Sequence, residues 1–89
     1  HQEEFQSYLF PMIQGLLKMK IEEEAQEIYI KESDKEFIAR FYSYCIVGLL
    51  IDWMKDDMKE SPELLSDKMN EIMDGCIKRA LKRFEIHQN

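Results

Sequence analysis

The stretch Glu36–Leu65, EFIARFYSYCIVGLLIDWMKDDMKESPELL, decides how this chain folds. No residue from Phe41 to Ile51 carries a charge. Read as a helix, Phe37, Phe41, Tyr44 or Cys45, Gly48 and Ile51 lie along one side, and Ile38, Tyr42, Leu49 and Trp53 along another. Ile46, Leu50 and Met54 fill what remains. A helix that is apolar all round must be covered all round. A chain of 89 residues can build only one small core. A second copy of the chain is therefore expected to supply part of the cover. Gly48 costs roughly 1 kcal/mol in a helix interior relative to Ala. In so apolar a helix, its missing side chain points to a close helix crossing.

The flanks set the boundaries of this helix. Ser33-Asp34-Lys35-Glu36 has the form of a capping box, with Ser at the N-cap and Glu three residues on. The spacing predicts a helix from residue 34 to about 58. Lys55–Glu60 is a polar exit, and Ser61-Pro62-Glu63 opens another helix. Ser caps, Pro fits the first helical position, and an acid favours the positive end of the helix dipole. Leu65, Met69, Ile72, Met73, Cys76, Ile77, Ala80, Leu81 and Phe84 then step by three and four, which predicts one helix over 62–84. Lys78, Arg79, Lys82 and Arg83 suit the negative end of its dipole, and phosphate binding is the sharper alternative.

Upstream, Phe5, Leu9, Met12, Ile13, Leu16 and Leu17 recur at helical spacing. They predict a helix over about 2–28. Pro11 removes one backbone hydrogen bond, so either a kink near Tyr8–Pro11 or a short helix followed by a longer one is expected. Ile28, Tyr29 and Ile30 either finish this helix or form an extended connector. No other stretch alternates to pair with them as a strand. The predicted fold is therefore all-α, with three main helices in a single domain.

Composition narrows the function. Eighteen acids against twelve bases give a net charge of −6, and such a surface repels phosphate, so this chain alone is a poor nucleic-acid binder. Cys45 and Cys76 are too few for a disulfide framework, and their apolar helical context predicts buried, reduced thiols in a cytoplasmic protein. The run Phe41–Ile51 is shorter than the roughly 20 residues a bilayer span needs, so no membrane role is expected. Glu22, Glu23 and Glu24 splay around a helix and do not converge on one ion. His1 and His87 lack partners at ligand spacing, and no Gly-rich phosphate loop or HExxH is present. No enzyme, metal or cofactor is expected. Phe5, Tyr8, Met12, Phe37, Phe41 and Tyr44 are the candidate lining of an apolar pocket, if the first two helices face each other there. Ordinary core is the alternative for most of them.

The string Phe37–Met69 resembles the C-terminal region of TetR-family transcriptional regulators. Phe37, Phe41, Tyr42, Gly48, Leu49, Trp53, Ser61, Pro62 and Glu63 carry the likeness. It covers about the last 50 residues well and 2–30 only loosely. The resemblance implies an all-helical regulatory domain whose last two helices join those of a second subunit in a four-helix bundle. It also implies a small apolar effector, and DNA binding through an N-terminal helix-turn-helix domain that these residues do not contain. The interface residues it implies are Tyr42, Cys45, Ile46, Gly48, Leu49, Trp53, Leu65, Met69, Ile72, Met73, Cys76, Ile77 and Ala80. Two other readings remain beside it: a stand-alone helical interaction module, and a small bundle that encloses an apolar ligand.

Overall fold

A computed structural model describes residues 2–86, with the side chains of residues 2, 3, 5 and 6 outside that description. The chain forms four helices: α1 (Gln2–Glu24), α2 (Glu32–Lys55), α3 (Pro62–Met73) and α4 (Cys76–Arg83). No strand occurs among the described residues. The all-α expectation holds, and the boundaries shift for identifiable reasons.

Helix α1 runs unbroken through Pro11, so a separate short helix ahead of the proline is not formed. It ends at Glu24 and not near residue 28. Ala25–Glu27 tighten into a turn in which the Ile28 N–H donates to the Ala25 carbonyl at 3.0 Å. Residues 29–31 are a connector. The Tyr29 carbonyl accepts from the Ile86 N–H at 2.7 Å, which ties the end of the chain to this turn.

Helix α2 begins two residues before the predicted start. Lys31 occupies the N-cap in an extended conformation and makes no side-chain cap bond, so the Ser33–Glu36 capping box does not form. The Lys35 ammonium competes for this turn. It lies 3.2 Å from both Glu22 and Glu32, which pins the first turn of α2 to the end of α1. At the other end α2 stops at Lys55, three residues short of the expected 58. Asp57 and Met58 both take positive φ, which a helix excludes. The Trp53 indole N–H donates to the Glu60 carbonyl at 2.7 Å and closes the exit loop.

The Ser61-Pro62-Glu63 start forms as read, with the Ser61 hydroxyl accepting from the Leu64 N–H at 3.1 Å and Pro62 in the first helical turn. The third helix predicted over 62–84 forms with a bend that divides it into α3 and α4. Gly75 sits at φ 74°, in the left-handed region where glycine alone carries no Cβ penalty. The side-chain periodicity survives this break, which is why the pattern alone reads as one helix.

Helices α1 and α2 pack along their length. The stripe Leu9, Ile13, Leu17, Ile21 meets Val47 and Ile51 at one end and Ile38, Ala39, Tyr42 and Ile46 at the other. Full burial of a side chain such as Ile21 contributes about 2 kcal/mol. Ser43 is fully buried between them and is satisfied, donating to the Ala39 carbonyl at 2.6 Å. Helix α4 inserts Ile77 and Leu81 against this core. Helix α3 approaches α4 but brings no stretch of backbone close to α1 or α2. The molecule measures 53 × 26 × 16 Å. A helix with its side chains is about 10–12 Å across. A slab this thin leaves the outer sides of α1 and α2 bare.

Candidate functional site

The bare sides are the chemical feature of this molecule. On α2, Phe37, Phe41, Tyr44, Cys45, Gly48 and Leu49 are all exposed. Few contacts hold the aromatics. The Arg40 guanidinium lies 5.3 Å from the Phe37 ring centre, a cation–π distance. Tyr44 meets Phe10 of α1 at 4.5 Å with the rings tilted by 45°, and Phe41 meets Tyr42 edge-on at 5.4 Å. Apart from its own helix turn, no described atom of the protomer comes within 4 Å of where a Cβ on Gly48 would stand. The chain's own fold gives Gly48 no close neighbour.

The residues expected at an interface divide into three groups. Cys45, Gly48, Leu49 and Ile72 are exposed. Tyr42, Ile46, Trp53, Met69, Met73, Cys76 and Ala80 are half-buried, and Trp53 already spends its N–H on the exit loop. Leu65 and Ile77 are buried inside the protomer. The exposed Cys45 and half-buried Cys76 correct the expectation of two buried thiols. Cys45 falls on the bare side of α2, and Cys76 on the first residue of α4 just after the Gly75 break. Both thiols are free.

Among the expected pocket residues, Tyr8, Met12, Phe37, Phe41 and Tyr44 are all exposed, and the Phe5 side chain lies outside the described residues. The α2 aromatics adjoin the side of α1 that bears Phe10, Gln14 and Lys18. Tyr8 and Met12 stand two residues from Phe10, about 200° around the helix, and so turn away from that side. With Leu16 and Met19 they form a separate exposed stripe. The sequence merged Leu16 with Leu17 in one stripe, although adjacent helical residues point about 100° apart.

Two hollows lie on the other side of the slab. One, of about 650 Å³, runs between α1, α2 and the α3–α4 arm, with Leu17, Ile46, Met69, Met73 and Ile77 in its walls. Lys20, Glu24 and Lys78 stand at its walls as well. The second, of about 410 Å³, is framed by Leu49, Trp53 and Leu65 at the α2 exit. Sequence reading missed the first because it placed Met69 and Met73 at an interface between two copies.

Two side chains hold their protons more tightly than usual. Burial, with the Cys76 and Cys45 thiols nearby, pushes the Tyr42 phenol above its usual 10.0, and Arg79 partly opposes this. The Glu32 and Glu22 carboxylates hold the Lys35 ammonium above its usual 10.5 against partial desolvation. Neither group is poised near neutrality for acid–base work. Among the described residues, no three His, Cys, Asp or Glu side chains gather as metal ligands. By length and composition α2 could cross a bilayer. Its inner face is committed to α1, as in the core helix of a small domain.

Residues 1–75 match a family model for the C-terminal region of transcriptional regulators of the TetR type. No curated protein and no solved structure matches the chain.

Proposed function

Because the chain belongs to the family of TetR-type transcriptional regulator C-terminal regions, we propose that it is the part of such a regulator that dimerises and senses an effector. The observation that carries dimerisation is the bare apolar side of α2, where Gly48 has an open approach. A second copy laid on that side and on the α3–α4 arm covers Leu49 and Ile72. It also gives Gly48 the close neighbour that the protomer lacks. The regulator works in the bacterial cytoplasm. DNA contact falls to a helix-turn-helix domain outside these residues, and the chain carries no catalytic role.

The effector seat is the hollow walled by Leu17, Ile46, Met69, Met73 and Ile77. Its volume lies in the range of small-molecule pockets, and methionines adapt to apolar ligands of varied shape. An occupant that wedges α3–α4 away from α1–α2 shifts the population between two arrangements of the dimer in proportion to its preference for one of them. Light scattering on the eluting chain tests the dimer. A mass of two chains at micromolar concentration is expected, and a single-chain mass throughout that range overturns the reading. For the hollow, Met69→Trp should fill it and abolish the thermal shift given by apolar ligands that stabilise the wild type. Ligands that stabilise both proteins equally would place the effector elsewhere.

A further inference from the structure

A smaller hollow of about 240 Å³ opens between α1 and α2, on the side of the pair that bears the exposed aromatics. Gln14 and Lys18, one helical turn apart, wall it from α1. Ser33, Glu36, Phe37 and Arg40 wall it from the start of α2. The chain carries a net charge of −6, yet Lys18 and Arg40 outnumber Glu36 here. None of these three side chains enters any ion pair found among the described residues. The neighbouring lysines are occupied: Lys20 lies 3.3 Å from Glu24, and Lys35 holds both Glu22 and Glu32. The Gln14 amide is half-buried, and neither it nor the Ser33 hydroxyl makes any side-chain hydrogen bond found among the described residues. Gln14, Lys18, Ser33 and Arg40 thus bring uncommitted donors to one hollow, beside an aromatic ring.

The chemistry of these walls selects the occupant. The Arg40 guanidinium is held 5.3 Å from the Phe37 ring centre, so its fork is placed before a ligand arrives. That planar fork matches an oxyanion through two parallel hydrogen bonds, and Lys18 adds a point charge. Glu36 decides which oxyanion. With Lys18 and Arg40 it leaves one net positive charge, which suits a monoanion and penalises a doubly charged phosphate. Phe37, with the exposed Phe41 one turn further along α2, offers an apolar wall to the body of the ligand. We propose that this hollow binds a small aromatic carboxylate, with its carboxylate between Lys18 and Arg40 and its ring against Phe37. The site is separate from the effector hollow, which opens on the opposite side of the α1–α2 pair. Arg40 also stands about 12 Å along α2 from Gly48, so a second copy packed around Gly48 leaves the site room. A ligand here touches α1 and α2 at once and ties the two helices of the scaffold together.

The test is calorimetric titration of the full chain with benzoate. One benzoate per chain is expected, and rising salt should weaken it. Acetate, which lacks the ring, and benzyl alcohol, which lacks the charge, should each bind at least about tenfold more weakly. Lys18→Met and Arg40→Gln change exposed side chains, so helical circular dichroism should stay at the wild-type level while each weakens benzoate by at least about tenfold. Lys82→Met, on α4, should leave benzoate binding unchanged. Glu36→Gln should tighten benzoate and admit inorganic phosphate, which the wild type refuses. A wild type that does not bind benzoate overturns the proposal, as does binding that Lys18→Met and Arg40→Gln leave intact. Phosphate bound by the wild type as tightly as benzoate overturns the choice of an aromatic monoanion. If Met69→Trp abolishes benzoate binding and Arg40→Gln does not, the ligand sits in the effector hollow, and this site falls while the effector reading stands.

Discussion

The α1–α2 pair and the α3–α4 arm solve the same problem in opposite ways. Helices α1 and α2 bury a stripe on each other in two clusters, Leu9 with Val47 and Ile51 at one end and Leu17 to Ala25 with Ile38 and Ala39 at the other, with Ile13 packed against both. The arm buries three side chains, Leu65, Ile77 and Leu81, with Met73 and Ala80 packed beside the last two, while α3 carries its most exposed apolar residue, Ile72, into solvent. Long helices with matched stripes hold each other. Short, charge-segregated helices depend on an anchor and leave surface for a partner. The pair is the scaffold, and the arm is the part built to contact something else.

The largest effect should come from breaking the anchor. Leu81 is fully buried, and Leu81→Ala should cost about 2–5 kcal/mol in urea unfolding. Ile72→Ala, measured on the monomeric protein, should stay within about 0.5 kcal/mol, as surface changes do. Equal costs at the two sites would erase the distinction between anchor and free face. Next comes the break itself. Gly75→Ala places a Cβ in the left-handed region and should cost about 1–2 kcal/mol, or straighten the arm into one helix with a rise in helical circular dichroism. Ser61→Ala, which removes the cap on Leu64, should cost about 1 kcal/mol and act on α3 first. Amide exchange that speeds equally in α1 would show that the arm and the pair unfold as one unit.

The smallest effect is a pH response. The phenol of Tyr42 is raised above 10.0, so the folded chain binds its proton more tightly than the unfolded chain does. This term is absent at neutral pH, and stability falls as pH rises above about 10. The Lys35 ammonium is raised as well. Its contribution is fully present below 10.5 and is lost as pH climbs through its folded value. Both groups therefore weaken the fold only in alkali. Tyr42→Phe should reduce the alkaline loss and leave the range from pH 6 to 9 unchanged. An unchanged alkaline slope would put the loss on Lys35 and other groups.

Most of the scaffold was legible because it is written in local chemistry. The apolar run from Phe41 to Ile51 demanded cover, and Ser61-Pro62-Glu63 announced a helix start that formed as written. The failures came where a tertiary contact outweighs a local signal. Ser33 had the right neighbours for a cap, but Lys35 reaching Glu22 draws the helix start back to Glu32. Gly75 was silent because a left-handed residue between two helices leaves the three-and-four spacing nearly intact. The candidate surface was half legible. Periodicity named the apolar residues of α1 and α2, but only the packing phase separates Leu17, in the core, from Leu16, outside it. The family resemblance read from Phe37 to Met69 agrees with the family match over residues 1–75.

The central claim is that a second copy covers the bare side of α2 around Gly48. Sedimentation equilibrium of the wild type beside Gly48→Ala and Gly48→Leu tests it most directly. Within the protomer both substitutions have room, and Gly48→Ala alone should raise monomer stability by roughly 1 kcal/mol through helix propensity. The wild type should be a dimer at micromolar concentration, and the Gly48→Leu chain should keep its helical content but sediment as a monomer of about the wild-type chain mass, 10.7 kDa. A Gly48→Leu chain that dimerises as tightly as the wild type would contradict it.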